Sequence, residues 1–222
     1  MNLPLTSAQI KMKYNYIAIE GNIGAGKTSL ATKISEQYNA KIILEQFADN
    51  PFLPKFYEKP EQYAFPLELS FLAARYHQLK DELSRQDLFK SFTISDYFIN
   101  KTLIFAQKTL QQDEFALFTK LFFIINTTLP KPDLLVYLYL NIDNLKRNIT
   151  KRGRSYEQNM EKDYLAKIQA GYLDFIKSQQ NMRILIIDTN NIDFVNNEDD
   201  YKKITDIIIN SDYKIGITRI SL

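Results

Sequence analysis

Gly21-Asn22-Ile23-Gly24-Ala25-Gly26-Lys27-Thr28 is the stretch of this 222-residue chain that decides its fold class. It matches G-x-x-x-x-G-K-[ST] in full. Residues 16–19 before it read as a buried strand. Residues 27–38 after it read as a helix with Leu30, Ile34 and Tyr38 on one face. Strand, glycine-rich loop and helix, in that order, form a cradle in which main-chain N–H groups point at phosphate oxygens. Glycine permits the dihedrals this needs and leaves no side chain in the way, and the helix start adds its positive dipole. Lys27 is expected to reach the β- and γ-phosphates of a nucleoside triphosphate. Thr28 is expected to coordinate Mg²⁺, with Ser29 counted among the loop's contacts. The motif leaves open what the triphosphate is used for.

Further along the chain, short apolar runs alternate with longer helical ones. Strands are expected at 42–44, 92–94, 134–140 and 184–187. Helices are expected at 51–58, 66–85, 98–109, 113–127, 143–150, 161–179 and 200–210. Strands apolar on both faces and separated by helices indicate a parallel sheet covered on both sides. The expected architecture is therefore a three-layer α/β fold of the P-loop NTPase type. It has a five-stranded parallel sheet, forms a single domain over 16–222, and follows a leader at 1–15. Residues 214–222 carry no assignable role. Ligands of such sheets bind beyond the carboxyl ends of the strands, so the residues just after each strand are the ones to read for chemistry.

Composition narrows the classes. The formal net charge is +2, which gives no broad field for nucleic acid or an anionic membrane, so phosphate binding has to be local. There is no cysteine, which excludes disulfides, thiolate metal sites and a cysteine nucleophile. No apolar run approaches the ~20 residues of a membrane span, and the first residues lack the apolar stretch of a secretory signal. The cytoplasm is the expected compartment. His77, the single histidine, has no partner with which to form a metal site and reads as an ordinary helix residue.

Three groups beyond strand ends stand out. Glu45 ends the second strand on the same rim as the phosphate loop. It is either a solvated strand-end carboxylate or the group that takes a proton from an acceptor hydroxyl. Asp96 ends the third strand, and it suits both Mg²⁺ binding and helix capping. Lys151-Arg152-Gly153-Arg154 is either a basic helix end favoured by the dipole or a pair of guanidinium groups that close over a triphosphate.

Taken together, these motifs resemble the deoxyribonucleoside kinase family over nearly the whole chain, about residues 16–210. GNIGAGKT is similar to the family's phosphate loop. LEQFADNPFL resembles the segment that carries its catalytic glutamate, which gives Glu45 the general-base role. FYEKP resembles the segment whose tyrosine binds the sugar 3′-hydroxyl, here Tyr57. KRGRSYEQN resembles the family's lid, about 151–158. It offers Arg152 and Arg154 as phosphate clamps and Glu157 as a second ligand of the 3′-hydroxyl. DYLAKIQAGYLDF resembles the helix that follows the lid. The resemblance implies ATP and Mg²⁺ as cofactors, a deoxynucleoside as substrate, and a homodimer.

Two departures mark this chain. The family usually has an acidic residue, arginine and serine after the third strand, whereas here the run is Asp96-Tyr97-Phe98 and the arginine is missing. The family often reads the base edge with a glutamine on its long helix, whereas here Glu68 stands in FPLELSF with Arg75 seven residues on. An ionised glutamate only accepts hydrogen bonds and an arginine only donates. Such a pair suits the Watson–Crick edge of guanine or adenine better than that of thymine. A Glu68–Arg75 ion pair without base contact is the alternative. Phe71 and Phe105 are candidates for stacking on the base. A nucleoside monophosphate kinase is the nearest rival, but Tyr97 stands where its extra arginine would be needed. A regulatory NTP-binding module is the rival from another class.

Overall fold

A computed structural model describes residues 12–47, 50–85 and 87–222. Its elements in chain order are β1 (Tyr16–Gly21), α1 (Lys27–Gln37), β2 (Lys41–Ile43), α2 (Leu53–Glu58), α3 (Pro60–Ser84), β3 (Thr93–Ser95), α4 (Asn100–Thr109), α5 (Gln112–Asn126), β4 (Leu134–Tyr139), α6 (Ile142–Arg152), α7 (Lys162–Ser178), β5 (Arg183–Asp188), α8 (Glu198–Asn210) and β6 (Gly216–Ser221). The strands form one parallel sheet in the order β2-β3-β1-β4-β5-β6. β1 is buried along its whole length, as a central strand covered on both faces must be. It lies between β3 and β4, where the strand order reverses. The loop after β1 therefore opens into the crevice at the carboxyl edge.

The apolar faces fill two layers. On one side, Leu30 and Ile34 of α1, Leu145 and Ile149 of α6, and Ile204 and Ile208 of α8 pack on the sheet. On the other, Leu72, Leu79, Ile104, Phe118, Phe122 and Ile168 do so from α3, α4, α5 and α7. Burial of each such side chain contributes about 1.5–3 kcal/mol. A smaller cluster, Leu53, Phe56, Ala64, Leu67 and Phe71, joins α2 to α3 and builds one wall of the crevice.

Three expectations change. The sheet has six strands rather than five, because residues 216–221 pair with β5 from Arg183↔Gly216 to Asp188↔Ser221. Gly-Ile-Thr-Arg-Ile-Ser alternates in burial because this edge strand is covered on one face only, so it lacks the apolar run of the inner strands. Secondly, α3 begins at Pro60 rather than Pro66. Pro60 occupies the first helical turn, where a missing N–H costs nothing, and Pro66 is carried inside the helix. Thirdly, residues 1–11 of the expected leader lie outside the described residues, whereas Tyr14 is core. It is 4% exposed, and its hydroxyl accepts the Tyr213 N–H at 2.8 Å.

Candidate active site

The phosphate loop is held open by its surroundings. Asn22, buried, donates from Nδ2 to the Leu165 carbonyl at 2.8 Å and accepts the Ile23 N–H at Oδ1, which ties the loop to α7. Asn148 of α6 donates to the Gly24 carbonyl at 2.8 Å. Gly24 has φ 85°, and a Cβ there would meet the Leu145 carbonyl oxygen at 2.8 Å, so both backbone conformation and space demand glycine. No side chain caps α1 and no acidic residue lies in its first turn. Its free N–H groups and positive end remain available to an anion. Lys27 folds back on the loop, donating to the carbonyls of Gly21 at 2.9 Å and Asn22 at 3.0 Å. Burial, and after it the charge of Lys101, pushes its ammonium group down to about 8. Bound phosphate would reverse that shift.

Thr28 and Asp96 meet at the loop's edge. Thr28 Oγ1 donates to Asp96 Oδ2 at 2.5 Å, and Asp96 Oδ1 accepts the Glu45 N–H at 2.7 Å. Asp96 does not cap the following helix: α4 starts at Asn100 and has no side-chain cap. One hydroxyl and one carboxylate are a fitting donor set for Mg²⁺, which keeps waters and phosphate oxygens as its other ligands. No cluster of three or more acidic or histidine side chains able to hold a metal occurs among the described residues.

Glu45 stands two residues beyond β2. Its Oε1 accepts from Arg75 Nε at 2.9 Å and Nη2 at 2.5 Å, and its Oε2 accepts from Lys101 Nζ at 2.5 Å. Burial alone would raise its pKa, but the Lys101 and Arg75 cations outweigh burial and hold the carboxyl well below the usual carboxylate range. Loop and carboxylate line one cleft of about 780 Å³, counted with its mouth. Its walls include Ile23, Gly24, Lys27 and Thr28 at one end and Tyr57, Glu68, Phe71 and Phe105 at the other.

The basic stretch reaches the same cleft. Arg152 ends α6, Gly153 turns the chain at φ 76°, and a 3-10 turn (Ser155–Glu157) follows. Glu157, buried, accepts from Arg152 Nη2 at 2.5 Å and from Arg154 Nη1 at 3.3 Å. The Arg154 guanidinium also lies 4.2 Å from the centroid of Phe47, and Tyr57 stacks on Tyr156 at 5.9 Å. Arg152 is thus both a basic helix end and a cleft residue.

A profile described as Deoxynucleoside kinase matches residues 17–211. The chain belongs to the deoxynucleoside kinase family. It is 37% identical over 193 residues to a deoxyguanosine kinase of Bacillus subtilis (strain 168), covering 85% of this chain and 93% of that one. It is 30% identical over 214 residues to a deoxyguanosine kinase of Lactobacillus acidophilus, covering 90% and 92%. The solved structure of a deoxyadenosine kinase from M. mycoides with bound dATP superposes with a TM-score of 0.76 at 23% identity, covering 88% of this chain and all of that one. That likeness establishes the shared fold.

In this deoxynucleoside kinase, Gly21, Asn22, Ala25 and Gly26 frame the phosphate loop without lining the cleft, and Ser29 is exposed on the first turn of α1. The alternative weighed for Glu68 and Arg75, an ion pair between them, is not what the structure holds. Arg75 does not pair with Glu68. Its Nε and Nη2 hold Glu45, its Nη1 donates to Thr102 Oγ1 at 2.8 Å, and its guanidinium lies 4.5 Å from the centroid of Phe71. The helix spacing put Glu68 within reach, but the β2 tip lies closer to the guanidinium. Glu68 is 2% exposed. Its Oε1 accepts from Thr109 Oγ1 at 3.1 Å and its Oε2 has no partner. Burial pushes its carboxyl up to about 7. Lys101, Thr102, Asn148 and Glu20 escaped the sequence reading. Lys101 alone left a signal there, a lysine three residues before the buried Ile104 and therefore in phase with the apolar face of α4. Glu20, buried in β1, accepts the Phe98 N–H at 2.7 Å and the Tyr172 hydroxyl at 2.8 Å, and so fixes the turn that leads into α4.

Proposed function

We propose that the chain transfers the γ-phosphoryl group of ATP to the 5′-hydroxyl of a purine deoxynucleoside, deoxyguanosine foremost, in nucleotide salvage. The observation that carries this reading is the shared cleft: a carboxylate fixed by two cations faces the same space as the phosphate loop. The triphosphate lies on the loop amides and Lys27. Thr28 and Asp96 would hold Mg²⁺, which when bound would compensate charge on the phosphates. The nucleoside lies between α3 and the sheet rim, with its sugar near Tyr57 and Glu157 and its base near Glu68, Phe71 and Phe105. Glu45 receives the 5′-hydroxyl proton as the O–Pγ bond forms. The bond from Pγ to the bridging oxygen breaks, and its electron pair leaves on ADP. Arg152 and Arg154 swing from Glu157 toward the phosphates and exclude water. The relatives named deoxyguanosine kinase support the guanine preference.

A coupled ATP-consumption assay with the four deoxynucleosides and adenosine tests this. Deoxyguanosine is expected to raise ATP use at least about a hundredfold over background. ATP use indifferent to nucleosides would mean a regulatory module instead, and use that requires a monophosphate acceptor would mean the other kinase class.

No helix among the described residues is long and apolar enough to cross a membrane. The cysteine-free sequence and near-neutral charge fit a cytoplasmic enzyme of small molecules rather than of nucleic acid. A homodimer through the α5 face, where Leu117, Phe123 and Ile124 are exposed, completes the reading. Sedimentation equilibrium is expected to give twice the chain mass, and Phe123→Glu with Ile124→Lys is expected to return it to the chain mass.

A further inference from the structure

We propose that Lys101 is a positioning residue for phosphoryl transfer, supplying from α4 the cation that is absent after Asp96. The inference rests on the kinase reading above. At the place after β3 where the family usually has an arginine, Tyr97 is fully buried and turns away, donating its hydroxyl to Gln78 Oε1 at 2.8 Å. Gln78 in turn donates to the Leu44 carbonyl at 2.9 Å. Tyr97 therefore braces the tip of β2 and carries no charge to Glu45. One helical turn further on, Lys101 is 7% exposed, lines the cleft, and reaches Glu45 Oε2 at 2.5 Å.

A lysine is almost never buried without a partner, and an ion pair in such a place is weak evidence for stability alone, because desolvation consumes much of its attraction. The division of labour at Glu45 points to another use. Arg75 holds Oε1 with two donors, which leaves Oε2 as the oxygen facing a hydroxyl. Lys101 binds that oxygen with one of its three N–H bonds. Two more remain for the entering oxygen or the transferring group. Lys101 lines the same cleft as Lys27 and Glu45, so its charge shares the space of both base and phosphates. Such a cation weakens Glu45 as a base. In a loose transfer state, where the proton moves late, orientation and charge compensation matter more than basicity.

In Lys101→Gln, kcat with deoxyguanosine is expected to fall about fiftyfold while KM for ATP stays within about threefold. A second variant uses the absence of cysteine: Lys101→Cys, aminoethylated in denaturant and refolded, rebuilds a lysine-like chain at a unique thiol. It is expected to regain at least about a third of wild-type kcat, with the unmodified form remaining about fiftyfold down. Lys101→Gln with wild-type kcat overturns the inference, as does aminoethylation that restores the melting temperature but not kcat. A wild-type enzyme that phosphorylates no nucleoside would instead sink the kinase reading itself.

Discussion

Glu45→Gln is expected to turn over deoxyguanosine at least about a hundredfold more slowly than the wild-type enzyme, with ATP affinity within about threefold. The substitution keeps the length of the side chain and removes its charge. The amide oxygen can still accept from Arg75, but the amide nitrogen would then present protons to Lys101, which now donates to Glu45 Oε2. The hydroxyl loses its proton acceptor and two buried cations lose their counter-charge, at roughly 3–5 kcal/mol for a broken buried pair. The phosphate loop is held by Asn22 and Asn148, whose bonds go to Leu165 and Gly24 and not to Glu45, so ATP should still bind. Stopped-flow measurement of kcat together with calorimetric ATP titration checks both halves. A kcat within threefold of wild type would remove Glu45 from the chemistry.

The strand–loop–helix at residues 16–37 was legible because its chemistry is local. Glycines, lysine and threonine at fixed spacing need only their own backbone to form the cradle. The inner strands were legible because burial on both faces writes a continuous apolar run. β6 was not, because an edge strand alternates, and a short alternating stretch at the end of a chain reads equally as an extended tail. Glu45, Asp96 and Arg152 were singled out because each follows a strand or ends a helix in a basic run, and Glu157 because KRGRSYEQN resembles the family's lid. The partner of Arg75 was not legible. Helix periodicity lists the neighbours on its own face, and Glu68 was one of them, whereas the β2 tip is brought there only by sheet order. The same limit hid Lys101: its meeting with Glu45, 56 residues earlier, exists only once β2 and β3 are adjacent. Sequence spacing thus located the strand-end carboxylates that line the cleft, Glu45 and Asp96. The cations that meet Glu45 come from long side chains on neighbouring helices.

Glu68→Gln is expected to invert the choice between purines, lowering kcat/KM for deoxyguanosine about a hundredfold or more and shifting its ratio to deoxyadenosine by about a thousandfold. Guanine offers two donors side by side, N1–H and N2–H, and an ionised carboxylate accepts both. Each such charge-assisted bond contributes about 1.5–3 kcal/mol, and about 1.4 kcal/mol is a factor of ten. An amide has one acceptor and one donor, and its donor would oppose a guanine N–H. The same amide fits adenine, whose N6–H donates while N1 accepts. Glu68 is free for this role, since its Oε2 is buried, has no partner, and lines the cleft. Because burial has raised its pKa to about 7, the wild-type enzyme should make the same choice by pH. Above that value the carboxylate is ionised and complementary to guanine. Below it the neutral acid carries one O–H donor and one acceptor, the pattern that matches adenine. kcat/KM for deoxyguanosine should therefore rise with pH through about 7 and that for deoxyadenosine should fall, their ratio changing about tenfold per pH unit. Glu68→Gln, which does not titrate, should flatten that ratio across the range. A ratio independent of pH in the wild type, or one that keeps its slope in the variant, would place the discriminating group elsewhere in the cleft.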